Sequence, residues 1–205
     1  WEHRCLDISL DESCKRLTAR HGYFDNNRLM VSSTWHYVFS VDGTVAITIR
    51  VEVSESAPPL PRVGAALRLS QDPGQVSWFG RGPHENYPDR KHSAVFGQWT
   101  QSTPDMHTPY IFPSENGLRC DVSKAQIGRI LIQGEFSLGV SQYSVKQLMA
   151  AQHEHELIPE DGLFIHIDGF HMGVGGDDSW SPSVKPRYLL TAATYRWGFS
   201  LGPSN

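Results

Sequence analysis

The sequence predicts an antiparallel all-β sandwich carrying one short helix, and three observations lead there. Residues 44–53 alternate apolar and polar at period two, and further short runs of β-branched and aromatic residues recur between clusters of Gly, Pro, Asn and Asp. A single stretch, opened by Ser144, has helical character. The 205 residues are enough for one such domain with a sizeable core. With 39% hydrophobic and 20% charged residues the chain reads as an ordinary soluble globular protein.

In chain order, residues 35–41 are rich in aromatic and β-branched side chains and read as a strand. Asp42-Gly43 follows, a dipeptide favoured in type I′ hairpin turns, so this strand is expected to turn back into residues 44–53. There Val45, Ile47, Ile49, Val51 and Val53 make the buried face, opposite Ala46, Thr48, Arg50 and Glu52. Ala57-Pro58-Pro59-Leu60-Pro61 has no amide donor at its prolines and reads as an extended connector. Further strands are expected at 63–69, 75–79, 94–99, 129–140, 163–168 and 187–199. Ser144 is placed to cap a helix over 145–151, with Leu148 and Met149 as its apolar residues. No period of about 20 to 50 residues recurs, which disfavours solenoids and propellers.

Charge and composition exclude several function classes. A formal net charge of -4 gives no basic footprint, so neither nucleic acid nor a membrane surface is expected as a partner. No apolar run approaches the roughly 20 residues of a membrane span. The first residues, WEHRCLDISLDES, lack the plan of a signal peptide, although a cleaved one would leave no trace. Cys5, Cys14 and Cys120 form no C-x-x-C pair and read as reduced thiols of a cytosolic protein. A Cys5 to Cys14 bridge is the alternative in an oxidising compartment.

Candidate chemistry is sparse. His153-Glu154-His155 and His166-x-Asp168-x-x-His171 would converge only if their segments are extended, and neither matches a zinc signature. Asp177-Asp178 are sequence neighbours, which suits turn capping better than a glycosidase pair. There is no G-x-S-x-G elbow, and Gly173-Val174-Gly175-Gly176 lacks the Lys-Ser/Thr of a phosphate loop. The stretch GFHMGVGGDDSWSP, 169–182, differs in kind, because it places glycines, Asp and Ser around one large aromatic. Such a loop would be rigid and would present Trp180 either as a stacking platform for a sugar ring or as a core anchor.

Three motifs in order, GRGPHENYPDRK (80–91), TPYIFPSENGLRC (108–120) and IDGFHMGVGGDDSWSPSV (167–184), resemble the C-terminal domain of the large bacterial type of β-galactosidase, in glycoside hydrolase family 2. The similarity runs from about Gly22 to the end and is weaker before it. The resemblance implies a galactose-mutarotase-like β supersandwich. It also implies that the two catalytic glutamates lie in a separate barrel domain, so that this chain holds no catalytic residue and turns over nothing alone. Trp180 would stack on the aglycone sugar, with Asp178, Ser179 and His171 of the same motif as its companions at the substrate. No cofactor is required, but a structural Na+ would sit on backbone carbonyls of Phe112, Pro113, Leu148 and Ala151. The last is Ala where the family has Thr, a change a carbonyl ligand tolerates. Asn86, Tyr87, Asp89, Arg90, Glu115, Asn116 and Arg119 are expected to be structural.

The family domain begins several strands before Trp1, so residues 1–205 are expected to form one β-sandwich domain truncated at its N-terminal side, with an exposed β edge open to pairing and homo-oligomerisation. Two readings follow. In the first, the chain is the C-terminal domain of a cytoplasmic β-galactosidase, partnered by lactose or another galactoside and by the other domains of the enzyme. In the second, it is a secreted galactose-binding, lectin-like protein that kept the fold and lost the barrel. A mutarotase reading would need His166, Asp168, His171 and Glu85, and rests on fold analogy alone.

Overall fold

The computed structural model describes residues 1–176 and 183–204. These contain the strands β1 (Glu2–Asp11), β2 (Arg16–Asp25), β3 (Arg28–Phe39), β4 (Val45–Val53), β5 (Arg62–Leu69), β6 (Gln75–Gly82), β7 (Val95–Ser102), β8 (Arg119–Ile127), β9 (Ile130–Ser141), β10 (Leu163–His171) and β11 (Thr194–Pro203). Among the described residues α1 (Val145–Ala150) is the one α-helix. The strands join in a single sheet of order β1-β2-β3-β4-β11-β9-β8-β6-β7, from which β10 and β5 branch off at β9. All the pairings are antiparallel.

The branching lies on β9. Residues 130–134 pair with β11, residues 137–141 pair with β10, and β8 runs along the other edge. Gly134 stands at the division with φ +148°, and a Cβ there would meet the backbone of Gly198 and Phe199. Splitting one strand between two partners folds the sheet over on itself. One core results, in which Val31, Ile47, Ile49 and Val51 of β3 and β4 join Val63, Val76, Trp78, Val122, Ile132, Ile165 and Ile167 from β5, β6, β8, β9 and β10. This is the expected all-β sandwich.

Residues 44–53 alternate as predicted, with Ile47, Ile49 and Val51 buried. The turn before them is not type I′. Only Gly43 has a positive φ, its N–H donates to Ser40 O at 3.2 Å, and Thr44 N donates to Asp42 Oδ1 at 2.9 Å. This is a type I turn with glycine as the extra residue of a bulge. The helix forms where expected and Ser144 caps it, its Oγ accepting from Gln147 N at 3.2 Å. Its apolar residues do not enter the core, and Met149 is 81% exposed. The strand expected at 187–199 is a 3-10 turn (Pro186–Tyr188), a bridge from Leu190 to Leu60 and then β11, because Pro186 cannot supply a ladder donor. β1, β2 and β8 were not anticipated. β1 is exposed along nearly its whole length, and β8 has Asp121 at φ +55° and two register shifts, so neither displays a clean alternation.

Candidate functional site

Asp178, Ser179 and Trp180 lie outside the described residues, but both sides of their loop are visible. β10 ends at His171, and the chain then leaves the sheet. Met172 N donates to Pro61 O and Gly173 N to Tyr188 O, each at 3.0 Å. Val174 N and Gly175 N donate to the two carboxylate oxygens of Asp89, at 3.1 and 2.8 Å. Four successive amides are thus fixed by three different segments. Gly173 is glycine because a Cβ would run into the Asp89 carboxylate, and Gly175 and Gly176 have positive φ. Asp89 anchors two of these four amides, and the part of the loop expected to present Trp180 lies outside the described residues. The sequence had placed Asp89 only in a general polar corner.

His171 is buried under Tyr87, with ring centroids 5.5 Å apart. Its Nδ1 donates to Met172 O at 2.7 Å, while Nε2 has no hydrogen-bond partner and lies 3.8 Å from Glu115 Oε1. Burial pulls its pKa down to about 4, so the ring is neutral near pH 7.

The three motifs that carry the resemblance meet at this end of the sandwich. Asn86, fully buried, accepts from Cys120 N at 2.9 Å and donates to His84 O at 3.0 Å. Glu85 accepts from Gly117 N at 2.8 Å, from Arg90 at 2.6 Å and from the Tyr110 hydroxyl. Arg119, 1% exposed, donates to the carbonyls of Pro83, Met106 and Gly117 and to Gln101 Oε1, with its guanidinium over the Trp78 ring. These are structural roles, as expected. Residues 80–91 and 108–120 lock to each other, and Asp89 projects from that lock to the loop at 173–175.

A cleft opens beside this end, with a volume of about 410 Å³, between β5 and β10 on one side and β3, β4 and β11 on the other. Trp35, Trp197 and Tyr23 supply aromatic wall, and Arg62, His166 and Asp168 supply the charged and titratable groups. Asp168 is 1% exposed, and neither of its oxygens has a hydrogen-bond partner. Its Oδ2 lies 3.6 Å from Arg62 Nη1, and Arg62 also pairs with Glu115. Burial raises the Asp168 carboxyl to about 6 despite Arg62, and lowers His166 to about 4. His166 and Asp168 do share a face of β10, but among the described residues no group of three or more ligands suited to a metal exists. His153 and His155 are stacked at 5.4 Å on a 3-10 turn (Glu154–Glu156), not on a strand.

The residues named for sodium lie in two neighbouring segments. His107 bridges them, its Nε2 3.0 Å from Glu154 Oε1 and its ring against Tyr143 at 4.9 Å. Phe112 is exposed, and Pro113 and Ala151 are buried. No described hydrogen bond uses the carbonyl of Phe112, Pro113, Leu148 or Ala151. Neutral oxygens free of other bonds are a donor set that fits a hard monovalent cation. The three cysteines are free thiols, Cys5 and Cys14 exposed and Cys120 buried.

Comparison with known proteins agrees with the motifs and extends their reach. Residues 7–201 match the family model described as the β-galactosidase small chain. The β-galactosidase of Aeromonas hydrophila is 44% identical over 200 residues, covering 96% of this chain and 20% of that protein. That of Yersinia enterocolitica is 47% identical over 198 residues (96% and 19%), and that of Psychromonas ingrahamii 49% over 176 residues (86% and 17%). The similarity therefore includes most of the segment before Gly22. The chain spans about a fifth of the length of these relatives. A crystal structure from Escherichia coli K12 assigned as an aldose 1-epimerase aligns with all of this chain and 69% of its own, at TM-score 0.47 and 12% identity.

Proposed function

Because this chain belongs to the β-galactosidase small-chain family, we propose that it is the non-catalytic C-terminal domain of a β-galactosidase, contributing an aromatic loop to the aglycone sugar subsite and a surface for assembly with the other domains. Hydrolysis would be performed by a glutamate pair elsewhere in the protein. The observation that supports this reading is the Asp89 anchor. Four consecutive main-chain amides, 172–175, are held on the near side of the loop that carries Trp180, a degree of fixation suited to presenting one side chain in a set orientation. In this reading Asp178 and Ser179 act with Trp180 at the substrate, and His171, a buried neutral ring at the loop's start, supports them.

The test is Trp180→Ala in the full-length protein. Loss of one stacking contact, about 1 kcal/mol, should raise KM for lactose by roughly five- to tenfold while the fold is retained. An unchanged KM for lactose would remove the aglycone role. We further propose that Na+ is held by the carbonyls of Phe112, Pro113, Leu148 and Ala151. Replacing NaCl by KCl at equal ionic strength should then lower the thermal midpoint, since a ligand of the native state stabilises by mass action.

A further inference from the structure

The cleft between β5, β10 and β3 shares Pro61 with the anchors of the loop just described but is lined chiefly by other residues. Its most telling feature is the Asp168 carboxylate, 1% exposed, with both oxygens unbonded. A buried carboxylate normally accepts several hydrogen bonds, so two empty acceptors mark a place for donors that the chain does not supply. The indole N–H of Trp197, whose ring lines the same cleft, is likewise buried and without a partner. The position is built rather than accidental. Gly64, opposite Asp168 in the β5–β10 ladder, leaves the room the carboxylate occupies, and any Cβ there would collide with Oδ1.

The surroundings decide what kind of molecule fits. Arg62 lies 3.6 Å from Asp168 and also pairs with Glu115, so an added cation would face the guanidinium and an added anion would face the carboxylates. A neutral molecule with several hydroxyl groups meets neither penalty, because each hydroxyl both donates and accepts. Trp35 and Trp197, with ring centroids 6.5 Å apart and nearly edge to face, offer apolar walls for ring C–H groups. The volume, about 410 Å³, falls in the range of small-molecule sites, and the lining is largely apolar with few convergent polar groups. We propose that this cleft binds a neutral monosaccharide, its hydroxyls donating to Asp168 and accepting from Arg62 or Trp197.

The experiment titrates the full-length protein with D-galactose and with D-glucose, by calorimetry and ligand-observed NMR, in the wild type, Asp168→Asn, Ala66→Phe and Trp180→Ala. Ala66 is an exposed residue lining the cleft, so a bulky side chain there blocks entry without touching the core. The expected result is a saturable component with Kd of about 1 mM to 10 mM that weakens at least about tenfold in Asp168→Asn and in Ala66→Phe and persists in Trp180→Ala. If the wild type shows no saturable component, or shows only one that survives both cleft variants, the proposal is overturned and water satisfies Asp168. A component lost in Trp180→Ala alone belongs to the loop and counts against the cleft, so the two sites are judged separately.

Discussion

Asp168 is a carboxylate held where an anion is disfavoured, and its titration should be visible in the stability of the whole chain. Its carboxyl is at about 6 in the folded chain against 3.8 unperturbed, chiefly through burial. The folded state therefore keeps a proton that the unfolded state has released between those values. Stability should fall as pH rises through that window, by up to about 3 kcal/mol. His166 and His171 act in the opposite sense. Both are lowered to about 4 from 6.5 by burial, with Arg62 adding to it, so their contribution is complete above about 6.5 and is lost as pH falls toward 4. In the wild type the Asp168 slope cancels part of the histidine slope. Asp168→Asn should leave the histidine slope alone, giving a steeper acid limb and a higher stability at pH 7 to 8 than the wild type, with Glu115 still present to pair Arg62. Denaturant unfolding at several pH values between about 4.5 and 8 reads this. Parallel curves for the two proteins would mean that Asp168 does not titrate in that range.

At the scale of elements, the loop after β10 depends on one side chain from a segment more than eighty residues away in the chain. Asp89→Asn keeps the shape but replaces one acceptor oxygen with an NH2 group, so one of the Val174 and Gly175 amides must face a donor. The loss should be about 1 to 3 kcal/mol at the loop's start. Hydrogen exchange at Val174 and Gly175 should speed up while amides in β4 are unchanged, and KM for lactose in the full-length protein should rise in the same direction as in Trp180→Ala. Unchanged exchange at both amides would show that the loop is held by other means. The glycines of 169–176 and the strong alternation of β4 are legible in the sequence because the cause is local: a positive φ, or a face repeating every second residue. Asp89 as anchor, Arg62 as the partner of Asp168, and Gly64 as its clearance are not legible, because each acts through a residue brought beside it only by the fold. β8 was hidden for a related reason. The register shift between Val122 and Lys124 moves its inward set from Cys120 and Val122 to Ala125 and Ile127, which breaks the period-two pattern.

For the whole molecule, the ends of the sheet decide how it meets other surfaces. Among the described residues β1 pairs only with β2, leaving one side of a ten-residue strand without ladder partners. Leu6, Ile8 and Leu10 follow one another at period two along it and are 47%, 62% and 61% exposed, so an apolar row accompanies the unpaired edge. A second edge, β7, carries exposed Val95 and Phe96, the latter packed edge to face on exposed Phe79 of β6 at 4.9 Å. An edge strand with an apolar face is the arrangement that sheets ordinarily avoid unless something covers it. Of the charges on β1, Arg4 and Glu2 pair with each other at 2.6 Å, which leaves Asp7 and Asp11. The 205-residue chain on its own should therefore associate with increasing concentration through β1, and Ile8→Lys together with Leu10→Lys should return it to a monomer in sedimentation velocity. Because those side chains lie outside the core, the variant should keep the wild-type circular dichroism and unfolding midpoint. A wild-type chain that sediments as a monomer at every concentration would show that the β1 edge is not an association surface. Association that survives the lysines would move attention to β7, where Val95→Lys is the corresponding change.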